Sequence, residues 1–498
     1  MSKLNPLQER HAQLTRRAFF RQAGFGLGAA ALGSMLPRSL RAAMGPSSEQ
    51  AALAAMRGLG QDPAIPHFAP KAKRVIYLFQ NGGPSHVDLF DYKPKLRDLH
   101  GVEIPLKDAT EARFSSMIDG QTSRPCMGEY RPFGQHGESG AFVSSMLPET
   151  AKIVDKLCFV KSMHTTQVNH APAITYFLTG SEQPGRPSAG AWLSYGLGSE
   201  SEDLPTFVAL TSRDKENSCG QIFYDYYWGS GFLPSVHQGV NFRAQGDPVL
   251  YLRDPAGLDR ATRRGMLDDL AALNEKRAQE VGDPEIHTRI AQYEMAYRMQ
   301  TSVPELTDFS QESEATLAMY GPDVQRKGSY AYNCLMARRL VERGTRFVQL
   351  MHAGWDQHRN IRSQLEIQCT DTDAPSAALI RDLEQRGLLD ETLVIWGGEF
   401  GRTPFCQGIF GADNEGRDHH PYGFTIWMAG GGVKPGMTYG ATDEFGFNAV
   451  EDRVSVHDLQ ATMLHLMGID HERLTYRFQG RRYRLTDVEG EVVHKILS

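Results

Sequence analysis

The amino-acid sequence predicts an α/β protein built on a mostly parallel, buried sheet. Three observations carry that prediction. Several short runs are apolar throughout instead of alternating, as strands covered on both faces are. Helix-patterned segments ending in glycine lead straight into such runs. The runs themselves end in turns carrying His, Asp, Glu or Asn, at the edge where an open α/β sheet holds its ligands. At 498 residues the chain is long enough for one large domain with insertions.

Val75-Ile76-Tyr77-Leu78-Phe79 is the first such run and opens into Asn81-Gly82-Gly83-Pro84. Residues 93–150 are polar and turn-rich and are expected to form a surface insertion. Leu157-Cys158-Phe159-Val160 reads as a second strand, followed by the His-rich stretch 164–170. Residues 221–320 form a second insertion. It begins with an aromatic, glycine-rich stretch (Tyr224, Tyr226, Tyr227, Trp228, Phe232) and continues as two helices. Met266, Leu270 and Leu273, then Ile290, Tyr293, Ala296 and Tyr297, recur at helical spacing on either side of Gly282-Asp283-Pro284. Ala331–Glu342 is predicted as a helix stopped by Gly344, with a strand over 346–351. The unit repeats as a helix over Ala377–Arg386 ending at Gly387 and a strand over Thr392–Trp396. Phe424–Met428 is the next strand. Ser455–Leu466 is a helix opened by a capping-box variant, with Asp458 three residues after Ser455. The folded region is set at 73–486, with a tail over 487–498.

The N-terminus carries Thr15-Arg16-Arg17-Ala18-Phe19-Phe20-Arg21, a glycine-rich apolar run from Ala23 to Leu36, then Arg38, Arg41 and Ala42-Ala43. This resembles a twin-arginine leader, expected over residues 1–43 and followed by a linker over 44–72. The apolar run falls short of the ~20 residues that span a bilayer, so no permanent membrane span is expected. The implied partner is the twin-arginine translocase, and the implied location is periplasmic or extracellular. A net charge of -6 argues against nucleic acid as a partner. The six cysteines form no CxxC pair, which excludes a zinc ribbon and a thioredoxin-type site. There is neither a haem-attachment motif nor a glycine-rich dinucleotide fingerprint.

The turns at the strand ends are chemically distinctive. Asn81, Ser85, His86 and Asp88 come after the first strand; His352, Asp356 and His358 after the strand over 346–351; Glu399 after the strand ending at Trp396. Asp418-His419-His420 precedes the strand at Phe424. These are the donor types that bind zinc, manganese, magnesium or calcium. Each has a plainer reading. The 352–358 loop could cap itself, Arg402 could pair with Glu399, and 418–420 could be a turn before Pro421. His419 and His420 are adjacent, so only one is expected to face a given ion.

Six stretches carry a resemblance: Asn81 to Asp88; Trp228 with Gly231-Phe232-Leu233-Pro234; Tyr293 to Gln300; His352 to His358; Gly397-Gly398-Glu399-Phe400-Gly401-Arg402-Thr403-Pro404; and His457 to Thr462. Over residues 73–486 the chain resembles the DUF1501 family of exported bacterial proteins, grouped with alkaline phosphatase, sulfatases and cofactor-independent phosphoglycerate mutase. The resemblance implies a three-layer α/β/α sandwich with a mostly parallel central sheet and loop and helical insertions. It implies one or two divalent ions (zinc, manganese, calcium or magnesium). Asn81 then stands where the superfamily has a first-strand metal Asp, Asp356 with His358 resembles a ligand pair, and His419 or His420 a late His ligand. Glu399 stands at the Asp of an Asp-His-Gly motif, whose His is Phe400 here. With His352, these seven are the ligand candidates. No cysteine begins a C-x-P-x-R motif, and the place of the nucleophile falls on His170. The catalytic candidates are therefore His170, as base or metal ligand, Thr166 as a hydroxyl nucleophile with Thr165 and Ser85 as alternatives, and Glu399. The implied activity is hydrolysis of a phosphate or sulfate ester, on a small molecule or a glycan, by metal-activated water. The alternative is a metal-binding scaffold without catalysis that holds a glycan or an exported partner.

Overall fold

The structure, a computed structural model, describes residues 66–498 apart from 107–113, 119, 214–222, 244–246, 250–253, 255–256 and 284. The expected leader, most of the linker and Cys219 lie outside the described residues. The chain divides into two compact units, Met1–Pro63 with Asp254–Glu294, and Ala64–Arg253 with Met295–Ser498. The described part of the first contains helix Arg260–Val281 and the start of helix Glu285–Thr307, as the sequence predicts. The Asp259 side chain accepts from Thr262 N–H at the head of the first helix, and Gly282 ends it at φ 69°.

The second unit holds a nine-stranded sheet. Its strands are β1 (Arg74–Asn81), β2 (Leu157–His164), β3 (Phe207–Arg213), β4 (Val240–Phe242), β5 (Phe347–Ala353), β6 (Thr392–Gly397), β7 (Phe424–Ala429), β8 (Met437–Tyr439) and β9 (Val454–Ser455). The order is β8-β2-β7-β6-β1-β5-β3-β4, with β9 also on β2. Only β7 runs antiparallel to its neighbours. The central strands β1, β5 and β6 are buried on both faces because both faces are covered. Ile76, Leu78, Val348 and Leu350 enter one core with helices α3 (Tyr330–Glu342) and α4 (Ile361–Gln385), through Leu335, Ala337, Leu365 and Leu379. Val75, Tyr77, Phe79, Phe347 and Met351 enter the other with α1 (His170–Thr179), α2 (Ala189–Leu197) and α5 (Val456–Leu466), through Phe177, Trp192, Leu459 and Met463. The three-layer α/β/α sandwich is thus present. The capping box at Ser455 forms as predicted, with Ser455 Oγ accepting from Asp458 N–H and Asp458 Oδ2 from Ser455 N–H at 2.8 Å.

Three expectations need correction. Helix α4 begins at Ile361, well before Ala377. Its inward residues there include Gln368, Thr372, Asp373 and Ser376, whose polarity hides the helical period. Asp373, for instance, accepts from the Thr150 hydroxyl at 2.6 Å. Residues 93–150 are not merely a surface insertion, since Leu96, Ile104, Ile118 and Cys126 share a third core with Phe405, Phe445 and Phe447. The expected tail is also part of the fold: Ile496 is buried, and Leu497 bridges Val433. The five described cysteines are free thiols. No described helix is long and apolar enough to cross a membrane.

Candidate metal centre

Register places the donors. Asn81 pairs with Ala353 and Phe79 with Gly397, so β1, β5 and β6 end side by side at one edge. The loop after β5 carries Asp356 and His358, and the residues after β2 lead into His170 at the head of α1. Strand β7 begins at this same edge because it runs the other way. Just before it, the two-residue strand His419–His420 pairs antiparallel with Gly401–Arg402, bringing His419 beside Arg402. Gly82 lets the loops meet: at φ 118°, a Cβ there would lie 2.5 Å from Asp356 N.

His170, Asp356, His358 and His419 converge there, their ligand atoms all within 4.8 Å of one another. The three imidazoles approach Asp356 Oδ1 through Nε2, at 3.2 Å for His170, 3.0 Å for His358 and 3.2 Å for His419. Each Nδ1 is engaged elsewhere. His419 Nδ1 donates to the Val168 carbonyl (2.7 Å), His358 Nδ1 to Gln407 Oε1 (2.7 Å), and His170 Nδ1 to Glu399 Oε1 (2.6 Å). A carbonyl and a carboxylate can only accept, so these partners leave the Nε2 lone pairs facing inward. His358 Nε2 and His419 Nε2 lie 2.9 Å apart. At that distance the two nitrogens need either a proton or a metal cation between them.

The remaining partners orient this set. Arg402, fully buried, donates to Asp356 Oδ1 (2.7 Å) and to the carbonyls of Gly83 (2.9 Å), Arg417 (3.1 Å), Trp355 (3.1 Å) and Gly82. Glu399 accepts from Gly82 N–H at 3.0 Å as well as from His170. Burial by itself would raise the Asp356 carboxyl, but Arg402 and the three histidines hold it well below the usual carboxylate range. Burial lowers His170, and Asp356 and Glu399 outweigh it, raising the ring to about 9. Asp356 and Glu399 thus both face His170, and Arg402 supplies a positive charge against Asp356. The rings of His170 and His419 pack on Phe400, at centroid distances of 5.0 and 4.5 Å, so this residue walls the centre.

Sequence and structure part on several residues. Asp356, His358 and His419 lie together, and His170 joins them as a fourth donor. Glu399 stands behind His170 and not among the four. His352 is a core residue: its ring bridges Ser212 Oγ (3.0 Å) and Gln368 Oε1 (3.0 Å), and burial lowers it to about 3. His420 faces away, with Nε2 on the Phe447 carbonyl and its ring against Phe447. Thr166 is exposed and donates to Glu182 (3.2 Å). Asn81 is fully buried at the end of β1, and neither side-chain polar atom has a hydrogen-bond partner among the described residues. Arg402 pairs with Asp356 and not with Glu399. Gln407 and the Val168 carbonyl were not foreseen, and Asp418, noted only as a neighbouring donor, enters as a carboxylate near His358. Asp418 Oδ1 lies 3.7 Å from His358 Nδ1, and its place beside His419 was the available signal.

Glu399→Gln is expected to weaken metal binding by about 10- to 100-fold while leaving the fold intact, since it removes the charge that orients His170. Competition against a chromophoric chelator reads this directly. Unchanged affinity would mean that Glu399 does not act through His170.

No curated protein matches the chain. Among solved structures the chain is similar to an alkaline phosphatase from the Antarctic bacterium TAB5, at 9% identity and TM-score 0.34, covering 80% of this chain and 98% of that one. It is similar to a sulfatase from Pseudoalteromonas sp., at 12% identity and TM-score 0.32, covering 86% and 73%. It is similar also to the lipoteichoic acid synthase LtaP from Listeria monocytogenes, at 10% identity and TM-score 0.32, covering 84% and 77%. Residues 72–497 match the model of the DUF1501 family, proteins of unknown function, so the chain belongs to that family.

Proposed function

We propose that this chain is a metal-dependent hydrolase of phosphate or sulfate esters, acting on a small molecule or a glycan with metal-activated water. The observation that carries this reading is the convergence of His170, His358 and His419 through Nε2 on Asp356 Oδ1, with every Nδ1 already bonded. Three nitrogens and one oxygen suit zinc or another borderline first-row cation better than magnesium or calcium, which favour all-oxygen sets. When bound, such a cation supplies a Lewis acid that lowers the pKa of water from roughly 15.7 to about 7.

The protein's own groups do the rest. Glu399 and Gly82 fix the orientation of His170, Arg402 holds Asp356 ionised, and Val168 and Gln407 set the tautomers of His419 and His358. Solvent reaches the centre on the side of His170 and His358, whose side chains are 18% and 12% exposed against 5% and 6% for Asp356 and His419. An ester would approach there. In this reading the protein is exported, periplasmic or extracellular, on the strength of the Thr15-Arg16-Arg17 motif.

The donor count also supports a second reading. Four protein ligands can close a tetrahedral shell, the pattern of structural zinc sites, which suits a metal-bound scaffold without catalysis. Protein purified without chelator is expected to contain about one first-row ion per chain and to hydrolyse an aryl phosphate or aryl sulfate in a chelator-sensitive way. Stoichiometric metal without turnover across an ester panel selects the scaffold. Metal-free protein that cannot be reloaded sinks both.

A further inference from the structure

Near the C-terminus, strands Tyr476–Phe478 and Arg481–Tyr483 form a hairpin. Its two-residue turn, Gln479-Gly480, has φ of 46° and 90°, the left-handed pair that a tight hairpin turn requires and that glycine accommodates. Alternation then divides the side chains. Tyr476, Phe478 and Tyr483 turn inward on Phe232, with centroid distances of 6.0, 5.0 and 4.8 Å. Arg477 and Arg482, directly opposite each other in the register, fall on the outward face, and both are exposed.

Like charges opposite one another on a sheet destabilise it. Neighbouring arginines have carboxylate partners: Arg481 and Arg186 (3.1 Å) share Asp487, and Arg484 pairs with Glu472 (3.1 Å). Arg477 and Arg482 have no carboxylate partner among the described residues, and Arg482 has only the Thr475 hydroxyl, at 3.3 Å. In a chain of net charge -6, the outward face of this hairpin is thus a doubly cationic spot that its own acids leave uncompensated.

We propose that this face binds the sulfate or phosphate half-ester groups of an acidic polysaccharide. Guanidinium groups match such oxyanions with paired, charge-assisted hydrogen bonds, and residues 470–490 carry five arginines and no lysine. A membrane surface is the poorer fit, because interfacial binding needs an outward apolar face. Here the aromatic side chains are turned inward and the tip is Gln479-Gly480. The hairpin packs against Phe232 and against Tyr195 of α2. Gly180, which caps α1, abuts the Leu485 carbonyl just beyond the hairpin, and α1 begins at His170, about 14 Å away along the helix axis.

The test is binding by the full chain, measured by isothermal titration with dextran sulfate, with neutral dextran of equal length as control. It needs no turnover, so it stands or falls apart from the hydrolase reading. The parent is expected to bind dextran sulfate and not dextran. Arg477→Gln with Arg482→Gln should weaken binding by about 100-fold, roughly tenfold for each guanidinium. Arg326→Gln, removing an exposed arginine paired with Asp323 elsewhere, should leave it unchanged. The thermal midpoint of the double variant should not fall, because a repulsive pair has been removed; each single variant repeats the measurement independently. Equal binding by folded parent and variant overturns the proposal, as does binding confined to phosphatidylglycerol vesicles.

Discussion

Asp356→Ala is expected to leave the protein without bound metal and without turnover. Asp356 is the residue on which all three imidazoles converge, and its Oδ1 also neutralises Arg402. Removing it deletes the one anionic ligand and leaves a guanidinium buried at 0% exposure. Stranding one member of a buried pair costs about 3–5 kcal/mol. Arg402 keeps the carbonyls of Gly82, Gly83, Trp355 and Arg417, which points to the lower end of that range. Asp356→Asn separates the two effects. It preserves the volume and one acceptor, so metal should be lost with a smaller fall in stability. Metal content by mass spectrometry and urea denaturation of the same preparations give both readouts. Full metal occupancy in Asp356→Ala would remove Asp356 from the centre.

The second large effect concerns an ion pair outside the four-residue cluster. Asp88 and Arg417 are both fully buried and meet through two hydrogen bonds, at 2.7 and 3.0 Å. Ser85 Oγ donates to the same carboxylate, and Arg417 also donates to the Thr403 and Met127 carbonyls at 2.9 Å. Asp88→Ala should therefore lower stability by about 3–5 kcal/mol, seen as a shifted urea midpoint at unchanged slope. Replacing both members by apolar residues of similar size, Asp88→Leu with Arg417→Met, should recover most of that loss, since desolvating the ion pair is itself costly. The Arg417 carbonyl accepts from Arg402, so metal affinity should weaken alongside stability in Asp88→Ala. Wild-type stability in Asp88→Ala would show that the network is solvated in solution.

The split between legible and illegible residues reflects the range over which each signal acts. Strands such as 75–79 and 392–396 announce themselves because burial on both faces leaves no room for polar alternation. Capping at Ser455 is legible because its chemistry is local, carried by two residues three apart. The first sixteen residues of α4 are illegible by the same logic. The inward apolar residues Ile361, Leu365 and Cys369 are interrupted by buried Gln368, Thr372, Asp373 and Ser376, and the Thr150 hydroxyl that satisfies Asp373 is 223 residues away.

The same distinction runs through the site. Composition and spacing point to a sheet edge rich in His, Asp and Glu, and the family resemblance adds Asp356, His358 and one of His419 and His420 as ligands. Which of two near neighbours faces the ion depends on backbone direction. His352 is still within β5 and points into a core, while His358 lies beyond it in the loop. His419 and His420 alternate across a two-residue strand, so one enters the centre and the other meets Phe447. His170 and Glu399 stand 229 residues apart in sequence. Only the parallel register of β1, β5 and β6, with β7 reversed, brings them together. The sequence by itself determined the fold class, the edge and the chemical type of the donors, because those depend on local pattern and composition. The tertiary structure decided the ligand set, because coordination depends on where side chains point across distant segments.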